Sequence, residues 1–279
     1  LKKQKNVLPR AGEVLDPMRA NSIIENAAFL GAAVTIAEAE ARKILHASSE
    51  LWIRAIQPAL WLLVFGEALS KVRGIVPQNF TYLQFISAGI LAQSVLFIAI
   101  FYGVTLVWER DLGLLSRLLA SPAPRISIVL GKSLAASIRG IFQATIIFGI
   151  SLILGININL DPLNVAGVYC VVVLLSMCFS TMSMAIASLA KTRERMMGLS
   201  QVITFPLFFA SNAIYPSAIM PEWLRLVSTV NPLTYGVNAL RAIMLTGRYA
   251  MIPTDIAVLA LYLTLFIALA TISISRIIR

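Results

Sequence analysis

The sequence predicts an all-α integral membrane protein with six transmembrane helices, and three observations predict it. Hydrophobic residues make up 58% of the 279-residue chain and charged residues only 13%, giving a mean hydropathy of +0.84, far above a soluble globular domain. Uncharged runs such as Leu83 to Val107 and Val165 to Ala190 are long enough to cross a hydrocarbon core of about 30 Å as helices. Charge and proline gather between those runs, as they do in the connections of membrane helices.

Taken in order, residues 1–32 form a cytosolic N-terminal arm in which charge is mixed with Pro9, Gly12 and Pro17. Its basic residues precede no apolar run, so it does not have the pattern of a signal peptide. From Ala33 the spacing is helical. Ile36, Ala37, Ala41, Ile44 and Leu45 share one face, and Glu38, Glu40, Arg42, Lys43 and His46 lie off it. That amphipathic pattern predicts a helix in the interface plane ahead of the first span, with Glu38 and Arg42 as an i,i+4 pair.

The transmembrane domain is 33–279, with spans at about 51–69, 83–107, 138–156, 165–190, 196–212 and 256–275. The first is the least apolar: it contains Pro58, and Arg54 and Glu67 near its ends can snorkel. Ile126 to Arg139 is interrupted by Lys132 and Arg139, so a helix is expected to start there at the cytoplasmic face and to reach the membrane core from Gly140 to about Ile156. Lys191 to Arg195 marks a charged loop after the fourth. Pro206, Pro216 and Pro221 divide the next apolar stretch, which predicts a fifth span ending near Ser211 or Asn212. Two short helices follow, about Pro221 to Thr229 and Pro232 to Leu245.

Orientation comes from the 23 basic residues. With both termini and the loops at Glu109 and Lys191 inside, only Lys71, Arg73, Arg225, Arg241 and Arg248 fall outside. Dispersed basic flanks of this kind account for the net charge of +10 without a nucleic-acid partner. Cys170 and Cys178 stand eight residues apart on one helical run, too far to pair with each other.

Between the second and third spans lies the most informative stretch, Val107 to Arg125. Asp111 is positioned to cap a short helix, on which Leu112, Leu115, Leu118 and Leu119 form an apolar ridge with Ser116 and Arg117 off it, and Pro122 and Pro124 stop it. Such a ridge beside Glu109, Arg110 and Asp111 suits contact with another protein. A turn lying among lipid headgroups is the alternative.

Glu109-Arg110-Asp111, Gly113, Arg117-Leu118-Leu119 and Ser121-Pro122 resemble the cytoplasmic loop of type-2 ABC transporter permeases, the exporter subunits related to drug-resistance and polysaccharide-export permeases. Phe205 to Phe209, Tyr215-Pro216, Pro221 to Arg225 and Asn231 to Tyr235 resemble the last third of the same family, in the same order. The resemblance covers roughly Ile36 to the C-terminus. It implies short helices dipping back into the outer leaflet between spans five and six, and two copies of a separate ABC ATPase docking on the cytosolic loops. It also implies a second permease chain, as in a homodimer, and a cell inner membrane location. The ATPase-coupling residues would be Glu109, Arg110, Asp111, Leu112, Leu115, Arg117, Leu118 and Leu119. A substrate path at the dimer interface would draw on Gln93, Gln201, Thr204, Phe205, Phe208, Phe209 and Asn212, side chains that equally suit packing between helices. A drug, a lipid or a lipid-linked glycan would be the exported cargo.

The chain itself is expected to carry no cofactor and no catalytic or metal site, with ATP and Mg held by the partner. Gly131-Lys132-Ser133 resembles the end of a phosphate-binding loop, but the required earlier glycine is Ile126. His46 has no metal-ligand partner at a useful spacing. The clearest spans contain no acidic side chain or histidine with which to couple transport to ions. An ion-coupled carrier and a non-transporting membrane assembly factor are the rival readings.

Overall fold

The computed structural model describes residues 31–42, 48–70, 81–121, 123–247 and 249–274. The expectations for the N-terminal arm before residue 31, for Lys43, Ile44, Leu45, His46, Lys71, Arg73, Pro122, Arg248, Arg276 and Arg279, and for the side chain of Glu67, lie outside them. Ten α-helices are described: α1 (31–42), α2 (Ser48–Ser70), α3 (Tyr82–Asp111), α4 (Leu114–Leu119), α5 (Arg125–Ile153), α6 (Pro162–Ala187), α7 (Arg193–Phe209), α8 (Glu222–Val230), α9 (Pro232–Arg241) and α10 (Ile252–Ser273). No strand occurs among the described residues. α3, α5, α6 and α10 are long and apolar enough to cross a membrane, whereas the apolar part of α2 is Trp52–Gly66 and α7 has 17 residues.

Helix α3 is the central post, with most of its length buried against α5 and α6. Its start is fixed by a capping box: the Thr81 side chain accepts from Gln84 N–H while the Gln84 side chain accepts from Thr81 N–H. Contact between α3 and α6 is made close by small residues, as helix packing in a membrane requires. Gly103 has no room for a β-carbon because Ser183 lies against it, and its N–H donates to Ser183 Oγ at 3.1 Å. Ser183 in turn donates to the Ile100 carbonyl. Gly140 on α5 meets Ser176 on α6 in the same way. α10 covers the bundle with one side only, leaving Leu261, Leu265, Leu269 and Ile272 exposed at helical spacing, a face for lipid.

Two expectations are corrected here. Neither concerns α5, which starts at Arg125 as the helix start expected there requires; within it Lys132 is only 1% exposed, because buried carboxylates receive it. Asp111 caps nothing: it ends α3, and α4 is preceded by Gly113 in the left-handed conformation (φ 71°), a turn for which glycine needs no side-chain cap. Arg54 does not snorkel outward but lies over the Phe101 ring of α3 at 4.5 Å.

At the opposite end from the α3–α4 turn, the two expected short helices are present as α8 and α9, followed by a π turn at Ala242–Thr246. Asn231 joins them: its side-chain oxygen caps α9 by accepting from Leu233 N–H at 3.0 Å, and its amide donates to the Leu207 carbonyl of α7. Pro232 occupies the first turn of α9, where its missing N–H costs nothing. α8 turns Trp223, Leu226, Val227 and Val230 outward, as an interfacial helix does. Arg241 closes this end, donating to the Asn212 carbonyl at 3.0 Å and lying 3.7 Å over the Phe85 ring.

Candidate functional site

Two charged connections come together at one end of the bundle. Arg110, in the last turn of α3, donates to the carbonyls of Ala190 (3.1 Å) and Lys191 (2.8 Å), the segment that links α6 to α7. Asp111 accepts from Arg110 at 2.9 Å and from Arg193 at 3.2 Å, and Arg193 lies 4.7 Å over the Trp108 ring. The sequence separates these segments by some 80 residues, yet the side chains make them one surface. α7 starts within that surface, because Thr192 accepts from Arg195 N–H as its N-cap.

Beneath the surface is a buried ion cluster. Lys132 Nζ on α5 lies 2.5 Å from Glu109 Oε2 on α3 and 3.3 Å from Glu40 Oε1 on α1, while Tyr102 Oη donates to Glu40 Oε2 at 3.3 Å. Glu40 is 5% and Glu109 7% exposed. Arg139 lies over the Tyr102 ring, 5.2 Å from its centre. Charges at this depth persist only when paired and hydrogen-bonded, so the cluster fixes α1, α3 and α5 against one another. The sequence had set Glu40 on the polar side of α1. It instead shares a face with Ala33, seven residues earlier, and that face is pressed on α5 where Gly131 leaves no space beside the Ala33 carbonyl and Ile36. On the outer side of α1, Glu38 bonds Arg42 at 2.7 Å and lifts that guanidinium above its ordinary pKa.

The expected leucine ridge divides. Leu115 is fully buried in the cluster formed by Leu106, Val107, Ile128 and Met196, and Leu118 and Leu119 pack partly against it. Leu112 and Leu114 are exposed, with Arg117, Ser116 and Ala120 beside them. A groove of about 400 Å³ runs between α1 and α4, lined by Thr35, Ile36, Ala39, Glu40, Glu109, Leu114, Arg117, Leu118 and Ser121. Thus α4 holds itself to the bundle by one side and offers polar atoms and two leucines on the other.

The residues named for a substrate path fall into separate environments. Gln201 is exposed on α7, and Phe205 and Phe209 are exposed and stacked on each other, with Phe205 edge-on to Phe97 of α3. Phe208 is fully buried, edge-on to Trp61 of α2. Thr204 is buried and donates to the Ser200 carbonyl in its own helix. Asn212 is buried and donates to Asn238 of α9. Gln93 is buried on α3 in a cleft shared with α2 and α5, whose lining also includes Phe97.

Sequence reasoning overlooked Glu40, Tyr102 and Lys132 as a unit. The available signal was Lys132 itself, a lysine in an apolar helical run, which requires a carboxylate from elsewhere in the chain. Asp255 was also placed just ahead of the last span, whereas α10 begins at Ile252 and buries it, with a hydrogen bond from Asn238. Acidic side chains are therefore present within the long helices, although no group of three or more histidine, cysteine or acidic residues able to hold a metal occurs among the described residues.

Together the apolar helices and the charged surface at one end define a polytopic α-helical membrane protein. The ABC-2 type transporter family matches residues 32–245, and the chain belongs to that family. It is similar to the putative transport permease ycf38 of Cyanophora paradoxa, 32% identical over 189 residues, covering 67% of this chain and 64% of that protein. The daunorubicin resistance ABC transporter permease protein DrrB1 of Streptomyces coeruleorubidus is 26% identical, covering 68% of this chain and 66% of that protein. The inner membrane transport permease YadH of Escherichia coli (strain K12) is 23% identical, covering 80% and 88%. The match spans 64–65% of the length of the ycf38 relatives.

Proposed function

We propose that this chain is the membrane-spanning subunit of an ATP-driven exporter, and that the surface built from residues 108–121 and 188–195 is where a separate ABC ATPase docks. The observation that carries the reading is the joining of the two connections by Arg110, Asp111 and Arg193 directly above the Glu40–Lys132–Glu109 cluster. A push on such a surface is delivered to α1, α3, α5 and α7 together, because buried ion pairs and carbonyl hydrogen bonds resist sliding. ATP and Mg belong to the ATPase in this reading. Two permease chains and two ATPases form the working unit, with the charged surface and both termini cytoplasmic, and the cargo is a hydrophobic or amphipathic molecule.

Cross-linking tests the docking face. Cysteines at Leu112 and Ala120, both exposed, are expected to cross-link to the co-expressed ATPase in a transporting complex, while one at buried Leu115 does not. Failure of every exposed position from 112 to 121 to cross-link in an active complex overturns the assignment. Transport that continues without nucleotide and collapses with an ion gradient would establish the ion-coupled rival instead.

A further inference from the structure

We propose that Asp255 is a proton-binding site, and that its protonation reverses a buried hydrogen-bond chain which holds residues 210–215 in place at the end of α7. The chain has three links. Asn238 of α9 donates to the Asp255 carboxylate in the first turn of α10. Asn212 donates its amide to Asn238 Oδ1, and the Asn212 carbonyl accepts from Arg241 Nη2 of α9 at 3.0 Å. Asp255 and Asn212 are each 6% exposed, so water does little to satisfy either of them. The turn after α7, α9 and α10 are thereby tied to one another, and Arg241 carries the tie to the Phe85 ring of α3.

The direction of the chain is set at Asp255. An ionised carboxylate only accepts, so Asn238 turns its amine to Asp255 and its carbonyl to Asn212, and Asn212 must answer with its own amine. That demand leaves Asn212 Oδ1 buried without a partner, an orientation its own surroundings do not favour. Among the members of the chain Asp255 alone can exchange a proton, because the amides do not titrate and the guanidinium keeps its charge. Taking a proton from water gives Asp255 an O–H donor. Asn238 Oδ1 then becomes its acceptor, and Asn212 Oδ1 becomes the acceptor of the Asn238 amine. The link at Asp255 also ceases to be charge-assisted, which weakens it. Residues 210–215 border the aromatic face of α7: Ser211 N–H bonds the Phe208 carbonyl and Tyr215 Oη the Phe209 carbonyl. The inference rests on the exporter reading only in regarding that face as a path for cargo.

The titratable groups on the elements packed against α10 are engaged elsewhere or stand apart. α9 brings Arg241, a member of the chain, and Tyr235, which bonds the Thr229 carbonyl. α6 brings Tyr169, bonded to Thr145, together with Cys170 and Cys178, and Asp161 is exposed ahead of it. Tyr249 bonds Asn164, Tyr262 of α10 itself bonds the Val230 carbonyl, and α5 has no titratable side chain in its last three turns. Among the described residues Asp255 forms no ion pair.

The test compares the full chain in nanodiscs of zwitterionic lipid at about pH 8 and about pH 5. Infrared difference spectra are expected to show a carboxylic acid carbonyl band at the lower pH that Asp255→Asn abolishes. Hydrogen exchange of residues 206–215, corrected for the pH dependence of free amides, should quicken by roughly threefold or more at the lower pH. Asp255→Asn cannot titrate and should remove this response. Asn238→Leu breaks the chain and should remove it too, with the infrared band kept. Asp161→Asn should alter neither readout. No band, a band unchanged by Asp255→Asn, or an exchange response that survives in a folded Asp255→Asn or Asn238→Leu variant overturns the proposal. Where a variant does not fold, the unaltered chain decides: absence of the band or of the quickened exchange overturns it. Neither ATPase nor cargo is present, so failure here leaves the docking surface standing, and absent ATPase cross-links leave the proton site standing.

Discussion

Lys132 of α5 and Glu109 of α3 form an ion pair at 2.5 Å, 23 residues apart in sequence and almost sealed from solvent. Glu40 of α1 shares the same ammonium at 3.3 Å. One cation thus holds three helices, and the removal of each member has a different consequence. Lys132→Met leaves two carboxylates buried side by side and should destabilise the protein by about 3–5 kcal/mol, the range for breaking a buried pair from one side. The triple variant Lys132→Met, Glu40→Gln, Glu109→Gln should recover most of that loss in a thermal melt. Recovery of stability without recovery of transport would separate the structural part of the cluster from its coupling part.

Arg110 and Asp111 make their contacts near solvent, so they belong to a different energetic class. Asp111→Asn removes ion pairs with Arg110 and Arg193 whose stability contribution is about 0–1 kcal/mol. The melting temperature should hardly move. Transport and transport-linked ATP hydrolysis should fall, because the Asp111–Arg193 tie between the two connections is lost and only the Arg110 bonds to the Ala190 and Lys191 carbonyls remain. Unchanged transport in this variant would remove the Asp111–Arg193 pair from the coupling route.

Gly131→Ala asks whether α1 is seated by shape. The new β-carbon would stand 2.7 Å from the Ala33 carbonyl oxygen and 2.8 Å from Ile36 Cβ, and backbone on one side cannot yield cheaply. A loss of about 1–3 kcal/mol is expected, the usual scale of overpacking. It should appear with faster protease cleavage within 31–42, since α1 is the element displaced.

Asn231→Ala removes the cap of α9 and the hydrogen bond to the Leu207 carbonyl in one change. Loss of a side-chain cap alone costs about 0.5–2 kcal/mol. Asn231→Ser keeps a cap acceptor without a charge and loses the donor to Leu207, so it should fall between the wild type and Asn231→Ala. A melt of all three proteins in the same detergent checks the order.

Much of the architecture was legible because membrane helices are written in composition. Uncharged runs located α3, α6 and α10, and the Asn231-Pro232 pair located the break between α8 and α9 to within a residue. The candidate site was legible only in outline. Glu109, Arg110 and Asp111 stood out as charges between apolar runs, yet periodicity assigned the neighbouring leucines to one ridge. A helix of six residues has too few turns for spacing to decide which side the bundle takes.

The sequence by itself determined that this chain lives in lipid, roughly where its long apolar helices lie, and which end carries the charge, since each follows from local composition and from the requirement that backbone hydrogen bonds close within a helix. Tertiary structure alone decided that Lys132 is a buried hub, that Leu115 turns inward, and that Arg110 reaches across to the Lys191 connection. Those facts depend on which helix faces meet. Partners separated by 80 or more residues leave no trace in local spacing, and a buried charge becomes tolerable only when the fold delivers its counter-ion.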